Sequence, residues 1–261
     1  MIQIDDFEAY CFDLDGTIYV GKKLLPNVKE TLAKLRRYDK KVLFITNSPT
    51  KTREQCQYLL HSLGVQTNVE EILTASFLSA IYFLENYPQA HIYIIGENAL
   101  KKELSSFSLN ITDNPLDASH VLVGLDRYFT YEKLNNAMIA LRNGAKLVVT
   151  NPDPVCPVPE GYISDTFAIA KAIQVASDTT IHKIIGKPST FYANKILKKL
   201  RLTNDKILII GDRLETDIIM GKNNQFSTCL VLTGASVKDD IHKTQIIPDY
   251  VIRDLSKLFL K

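Results

Sequence analysis

The sequence predicts an α/β protein: a parallel sheet covered by helices, interrupted by a second α/β domain. Three observations carry this. Short apolar runs alternate with segments of helical period, the pattern of βαβ units with right-handed crossovers. The runs at 41–45 and 206–210 are apolar without alternation, as in strands covered on both faces. Three runs end in polar clusters, Asp13/Asp15, Thr46/Asn47 and Asp212/Asp217. Open α/β sheets bind ligands outside the carboxyl ends of their strands.

Residues 10–14 form the first strand. Asp13-Leu14-Asp15-Gly16-Thr17 then puts two carboxylates two residues apart just past a buried run. They would share a face if the strand continued, but the chain begins to turn there and the second can swing away. Acids at such a place are costly unless paired. A divalent cation such as Mg²⁺, which takes carboxylate and carbonyl oxygens, is the fitting partner. A strand end running into an Asp/Gly turn is the plain alternative. Residues 18–25 read as a hairpin turning at Gly21. Pro26-Asn27 opens a helix, with Asn27 and Glu30 at capping-box spacing and Val28, Leu32 and Leu35 on one face. The strand at 41–45 ends at Thr46-Asn47-Ser48-Pro49. Ser48 as N-cap and Pro49 at the first position predict a helix to Leu63, stopped by Gly64. Its start would aim backbone N–H groups at an anion beside Thr46-Asn47. Ile72-Leu73 is a candidate edge strand.

The pattern restarts near Phe77. Helix 78–85, strand 91–95, helix 99–105, strand 121–123, helix 130–144 and strand 146–149 follow. A Pro-rich loop, 152–159, leads to helix 166–176. This stretch can bury its own core and reads as an inserted domain at 78–180, with the first domain made of 1–77 and 181–261. Strand 183–185 leads through Gly186-Lys187-Pro188-Ser189 into a helix ending at Leu200. Strand 206–210 runs into Gly211-Asp212-Arg213-Leu214-Glu215-Thr216-Asp217 and a further helix, and strands 228–232 and 250–252 finish the chain. Leu147-Val148-Val149-Thr150-Asn151 echoes Leu43-Phe44-Ile45-Thr46-Asn47. The first Thr-Asn pair belongs beside Asp13, one crossover away; the second is a candidate for the insert's substrate face.

Composition narrows the function. The chain has 261 residues, 46% hydrophobic and 23% charged, with a net charge of +2, which suits a soluble protein with a sizeable core. Its scattered Lys and Arg give no electrostatic case for a nucleic-acid polymer or a membrane surface. Cys11, Cys56, Cys156 and Cys229 are widely spaced and read as free thiols in a reducing compartment. The N-terminus has no signal-peptide core, and no apolar run approaches the ~18 residues that span a membrane, so a cytoplasmic location is expected. Five dispersed histidines give no zinc pattern. Gly16 and Gly21-Lys22 have P-loop spacing, but Lys23 stands where Ser or Thr is needed and no helix follows directly.

Carboxylates, a hydroxyl, an amide and the Lys187 ammonium thus converge from four segments. They suit phosphoryl transfer, in which a carboxylate attacks phosphorus, a metal offsets the repulsion between anions, and cationic and hydroxyl groups hold the other oxygens.

Phe12-Asp13-Leu14-Asp15-Gly16-Thr17, Thr46-Asn47, Gly186-Lys187-Pro188 and the stretch from Gly211 to Asp217 resemble the four motifs of the haloacid dehalogenase (HAD) superfamily. Their order, their spacing and the place of the insert are similar to its NagD-like or p-nitrophenylphosphatase branch. The resemblance implies a doubly wound, Rossmann-like core with an inserted α/β cap, and a Mg²⁺-dependent phosphatase of small phosphate monoesters working through an aspartyl phosphate. It implies Asp13 as nucleophile and metal ligand, and Asp15 as acid and base that also binds metal through its carbonyl. Thr46, Asn47 (through its backbone) and Lys187 would bind phosphate, Asp212 the metal, and Asp217 would support Lys187 or a metal-bound water. Thr150-Asn151-Pro152-Asp153 matches a cap signature, so Asn151, Asp153 and Asp165 are the expected specificity residues. The partner expected is a small phosphorylated metabolite such as a nucleotide or sugar phosphate, and any assembly would be a homodimer through the cap. Two departures stand out: Arg213 where many relatives carry Asn, and Ile163-Ser164-Asp165-Thr166-Phe167 where many carry a Pro-Gly/Asp-Ala-Gly loop, a difference that bears on substrate choice. The competing classes are a receiver-like phospho-Asp signalling module, which lacks an acid at the Asp15 position and is about half as long, and a non-catalytic binding protein of the same fold.

Overall fold

All five residues of β1 (Ala9–Asp13) are buried, and the strand lies inside a parallel sheet. The computed structural model describes residues 2–158 and 161–259. After β1 come the small hairpin β2 (Tyr19–Val20) and β3 (Lys23–Leu24), α1 (Val28–Arg37), β4 (Lys41–Thr46), α2 (Arg53–Ser62), β5 (Ile72–Thr74) and α3 (Ala75–Asn86). Next are β6 (His91–Ile95), α4 (Asn98–Ser106), β7 (Asn110–Ile111), β8 (His120–Val123), α5 (Tyr131–Arg142), β9 (Lys146–Val149), β10 (Val155–Val158), β11 (Gly161–Ser164) and α6 (Thr166–Ser177). The chain continues through β12 (Ile181–Ile184), α7 (Thr190–Leu200), β13 (Ile207–Gly211), a wide π-type turn (Leu214–Ile218), α8 (Ile219–Asn223), β14 (Ser227–Val231), α9 (Lys238–Thr244) and β15 (Tyr250–Ile252).

Among the described residues, one sheet has the order β15-β14-β13-β1-β4-β5 and another the order β12-β9-β8-β6-β7. They belong to two compact units. The first runs through Thr46, takes in Cys56–Leu73 and resumes at Lys187; the second comprises Asn47–Gln55 and Thr74–Gly186. In the first, Phe12 and Phe44 lie fully buried with ring centroids 6.5 Å apart. Each contributes up to about 3 kcal/mol of burial, which fixes β1 against β4 just behind Asp13. The second unit has its own core, with Val121, Val123, Leu147 and Val149 from the sheet against Ala137, Ala140, Ala170 and Ile173 from α5 and α6. The parallel α/β class expected from the sequence is therefore what the chain adopts.

Several details differ from expectation. Asn27 takes a left-handed conformation (φ 59°), not the extended one an N-cap needs, and makes no side-chain cap bond to α1. The helix after Thr46 starts at Arg53, not at Pro49. Thr52 Oγ1 accepts from Gln55 N at 3.3 Å while Gln55 Oε1 accepts from Thr52 N at 2.9 Å, a reciprocal cap that outcompetes Ser48-Pro49. The helix start thus lies beyond Thr46-Asn47. The strand expected to reopen the first domain, β12, pairs instead with β9 of the second sheet, so the return to the first unit comes at Lys187 rather than at 181. Much of the Pro-rich loop is β10, paired antiparallel with β11; Pro159, at the end of that expected loop, lies outside the described residues. The short β7 and α9 had no clear periodicity to announce them. No helix among the described residues is long and apolar enough to cross a membrane.

Candidate active site

The strand order turns around at β1: β4 and β5 lie to one side, and β13, β14 and β15 to the other. The carboxyl ends of β1 and β13 therefore flank the topological switch point, where this architecture leaves a crevice. Asp13 closes β1 in register with Ile45, and Thr46 is the next residue of β4. Asp212 directly follows β13.

Lys187 ties these ends together. Its Nζ donates to Asp13 Oδ1 and to Asp217 Oδ1, both at 2.6 Å, and to the Ile45 carbonyl at 3.4 Å. The lysine is 1% exposed. Burial alone would pull its pKa down, but the carboxylates of Asp13 and Asp217 outweigh that and raise it, so the ammonium stays charged. Asp217 reaches back because the π-type turn folds its side chain over the end of β13, where Asp217 Oδ2 accepts from Arg213 N at 3.3 Å. Gly211 makes room for it; a Cβ there would collide with the Asp217 side chain.

Burial pushes the Asp13 carboxyl up, and the charges of Asp217 and Asp212 add to this against the opposing pull of Lys187. Asp212 is raised to about 6 by burial and then by Asp217, with the Ala235 N–H (2.6 Å to Oδ2) opposing. Gly16 (φ +91°) and Gly234 press on the Asp212 carboxylate, and a Cβ at either would strike it. Two carboxyls pushed towards protonation beside a single buried ammonium are short of positive charge. Among the described residues no three His, Cys, Asp or Glu side chains gather as a metal cage. A pair of carboxylates would suit Mg²⁺, which takes one or two carboxylates and completes its shell with carbonyls and waters. Asp13 and Asp212 would supply the carboxylates, and the Asp15 carbonyl is the expected third oxygen.

Asp15 differs from Asp13 as its sequence position allowed. Its side chain is exposed, and Tyr19 Oη donates to Oδ2 at 3.5 Å. The backbone turns sharply here, with the N–H groups of Thr17, Ile18 and Tyr19 all converging on the Leu14 carbonyl. Thr46 is buried, and its N–H donates to Tyr192 Oη at 3.0 Å. Sequence reasoning missed Tyr192. It also missed Gly234, which has no motif around it to mark it.

The remaining expected residues gather within the second unit. Asp153 Oδ2 accepts from Asn47 Nδ2 and from Asn151 Nδ2, both at 2.8 Å. Thr150 Oγ1 donates to Asn151 Oδ1 at 2.8 Å. Asp165 caps α6 through Thr166 N at 2.5 Å, and burial raises its pKa. Asn151, Asp153 and Asp165 are all buried. The Asn47 side chain is thus engaged with Asp153.

Residues 10–110 match the family described as haloacid dehalogenase-like hydrolase, and residues 184–258 the one described as HAD-hydrolase-like. An acid sugar phosphatase of Staphylococcus epidermidis is 35% identical over 250 residues, covering 96% of each chain. The crystal structure of a 4-nitrophenylphosphatase from Thermotoga maritima is 30% identical with a TM-score of 0.93, covering 98% of this chain and 97% of that one. NagD from E. coli K-12 is 25% identical with a TM-score of 0.87, covering 96% and 98% respectively.

Proposed function

Because the chain belongs to the haloacid dehalogenase-like hydrolases and, like its phosphatase relatives, is a hydrolase of phosphoric monoesters, we propose that it dephosphorylates a small phosphorylated metabolite through an aspartyl phosphate on Asp13. The observation that supports this best is the Lys187 ammonium held 2.6 Å from both Asp13 and Asp217 at the strand ends. A cation so placed can hold a phosphoryl oxygen next to the attacking carboxylate. The acid sugar phosphatase relative favours a sugar phosphate as the substrate class. The second unit is the proposed cap, and the buried thiols of Cys11, Cys56 and Cys229 suit the proposed cytoplasmic setting.

On this proposal Asp13 attacks phosphorus and the ester P–O bond breaks. Asp15 gives its proton to the departing oxygen, then takes one from the water that cleaves the acyl phosphate. Its exposed carboxyl can reach a leaving group that the buried Asp13 cannot serve. Thr46, Lys187 and the Asn47 N–H hold the other phosphoryl oxygens. Bound Mg²⁺ would lessen the repulsion between the Asp13 carboxylate and the phosphoryl group.

Asp13→Asn should abolish p-nitrophenyl phosphate hydrolysis. Asp15→Asn should leave radiolabelled phosphate on Asp13 after acid quench. Full turnover by the first variant would remove Asp13 from the nucleophile's role, and an unlabelled second variant would count against the covalent route.

A further inference from the structure

We infer that Tyr192 is a positioning residue for catalysis, setting the phosphate-holding end of β4 through its hydroxyl. The inference rests on the proposed role of Thr46. Where β4 and β5 reach their carboxyl ends, the Tyr192 phenol stands between them. Its Oη accepts from Thr46 N at 3.0 Å and donates to the Leu73 carbonyl at 2.6 Å, with the Thr46 carbonyl 3.3 Å away. A hydroxyl has one proton to give, so the short bond to Leu73 takes it and the Thr46 N–H fills the acceptor side. The phenol therefore links two strand ends through a side chain, next to the residues that leave the sheet at each one.

The phenol is itself firmly seated. Tyr192 is fully buried in the first turn of α7, where its own N–H donates to the Ser189 cap at 3.2 Å. Burial holds its pKa well above the ordinary tyrosine value, against the pull of Lys187, so it remains a donor. Lys187 lies just ahead of the same helix and reaches the Ile45 carbonyl. The segment that supplies the ammonium thus also fixes the neighbouring Thr46 backbone, so hydroxyl and ammonium are set against each other by one short stretch of chain. An error well under the length of a hydrogen bond in such a pair costs rate without unfolding anything.

The test is a double-mutant cycle on the intact chain with Mg²⁺, reading kcat, KM and inhibition by orthophosphate. Tyr192→Phe should lower kcat/KM about 10-fold or more and weaken orthophosphate to a similar degree, equally for p-nitrophenyl phosphate and for sugar phosphates. In a Thr46→Val background the same change should cost about twofold or less, since the group it positions is gone. Tyr10→Phe is the control: it removes an equally buried phenol, bonded to the Ile4 carbonyl at 2.9 Å, and should leave kcat/KM within about twofold. An equal loss from Tyr192→Phe in both backgrounds, or a matching loss from Tyr10→Phe, overturns the inference and leaves a general packing effect. A Thr46→Val enzyme with full activity would instead overturn the proposed role of Thr46, and this inference with it. If Tyr192→Phe does not fold, Ser189→Ala, which removes the cap that seats the tyrosine, should show the same pattern at reduced size. Additive losses there count against the inference equally.

Discussion

Asp212→Asn should make the metal-free protein more stable while making it inactive. A carboxyl raised from 3.8 to about 6 costs roughly 3 kcal/mol to keep ionised in the folded chain, at about 1.4 kcal/mol per tenfold. The sign follows from proton linkage. Below about pH 4 the group is protonated in both folded and unfolded chains, and the effect vanishes. Between about pH 4 and 6 the folded chain keeps a proton that the unfolded chain has released, so stability falls as pH rises. Above about pH 6 the full cost is carried. Asparagine has no charge to desolvate, and its Oδ1 can keep the bond from Ala235 N. Its amide protons must find partners beside Gly16 and Gly234, which trims the gain to about 0–2 kcal/mol. Urea denaturation in EDTA across this pH range should show the variant's advantage growing from near zero at low pH to a plateau. Adding Mg²⁺ should reverse the order, because only the wild type gains the binding term, about 2.7 kcal/mol at a hundredfold excess over Kd. A variant less stable than the wild type at about pH 8 in EDTA, or one that Mg²⁺ stabilises as much, would refute the account of a site short of positive charge.

The other predictions concern the Lys187 clamp and the second unit. Gly211→Ala should expel the Asp217 carboxylate from its place above β13, lowering kcat at least tenfold and stability by about 1–3 kcal/mol; wild-type kinetics would show that Asp217 is not needed there. Asp153→Ala removes an acceptor shared by Asn47 and Asn151, so it should cost about 1–3 kcal/mol in a denaturant melt and lower turnover of different phosphate esters by one common factor. A changed substrate ranking would instead support the specificity role expected of Asp153 from sequence.

What could be read from the sequence follows how local each feature is. β6 and β9 match their expected limits because unbroken apolar runs with polar ends need no partner to declare themselves. The meeting of Asp13, Lys187, Asp212 and Asp217 could be anticipated because each is tied to a strand end or a helix start, and the sheet topology brings such ends together. Features decided by competition were not. Ser48-Pro49 is a good helix start, yet Thr52 and Gln55 satisfy two backbone groups reciprocally and win. The apolar pattern of β12 fits either sheet, and only pairing with β9 decides it. Tyr192 looks like any aromatic on the inner face of a helix. Its importance lies in an oxygen whose partners are 146 and 119 residues away along the chain.

The two carboxylates on Lys187 have different fates on the proposed reaction, and that explains why there are two. When the Asp13 oxygen bonds to phosphorus, it ceases to be a carboxylate. Lys187 would then be a buried cation that has lost one of its counter-charges, and burial would press it to release its proton. Asp217 would take no part in bonding to phosphorus and would stay within reach of the ammonium, with its other oxygen held by the Arg213 N–H. It would therefore keep the ammonium charged at the stage when the phosphoryl oxygens most need it. The like-charge repulsion that Asp217 imposes on Asp13 and Asp212 is the cost of that arrangement, and a divalent cation bound between those two would offset it. The glycines at 16, 211 and 234 let these carboxylates crowd so closely. The same crowding of carboxylates would thus provide both an affinity for a divalent cation and the constancy of the lysine.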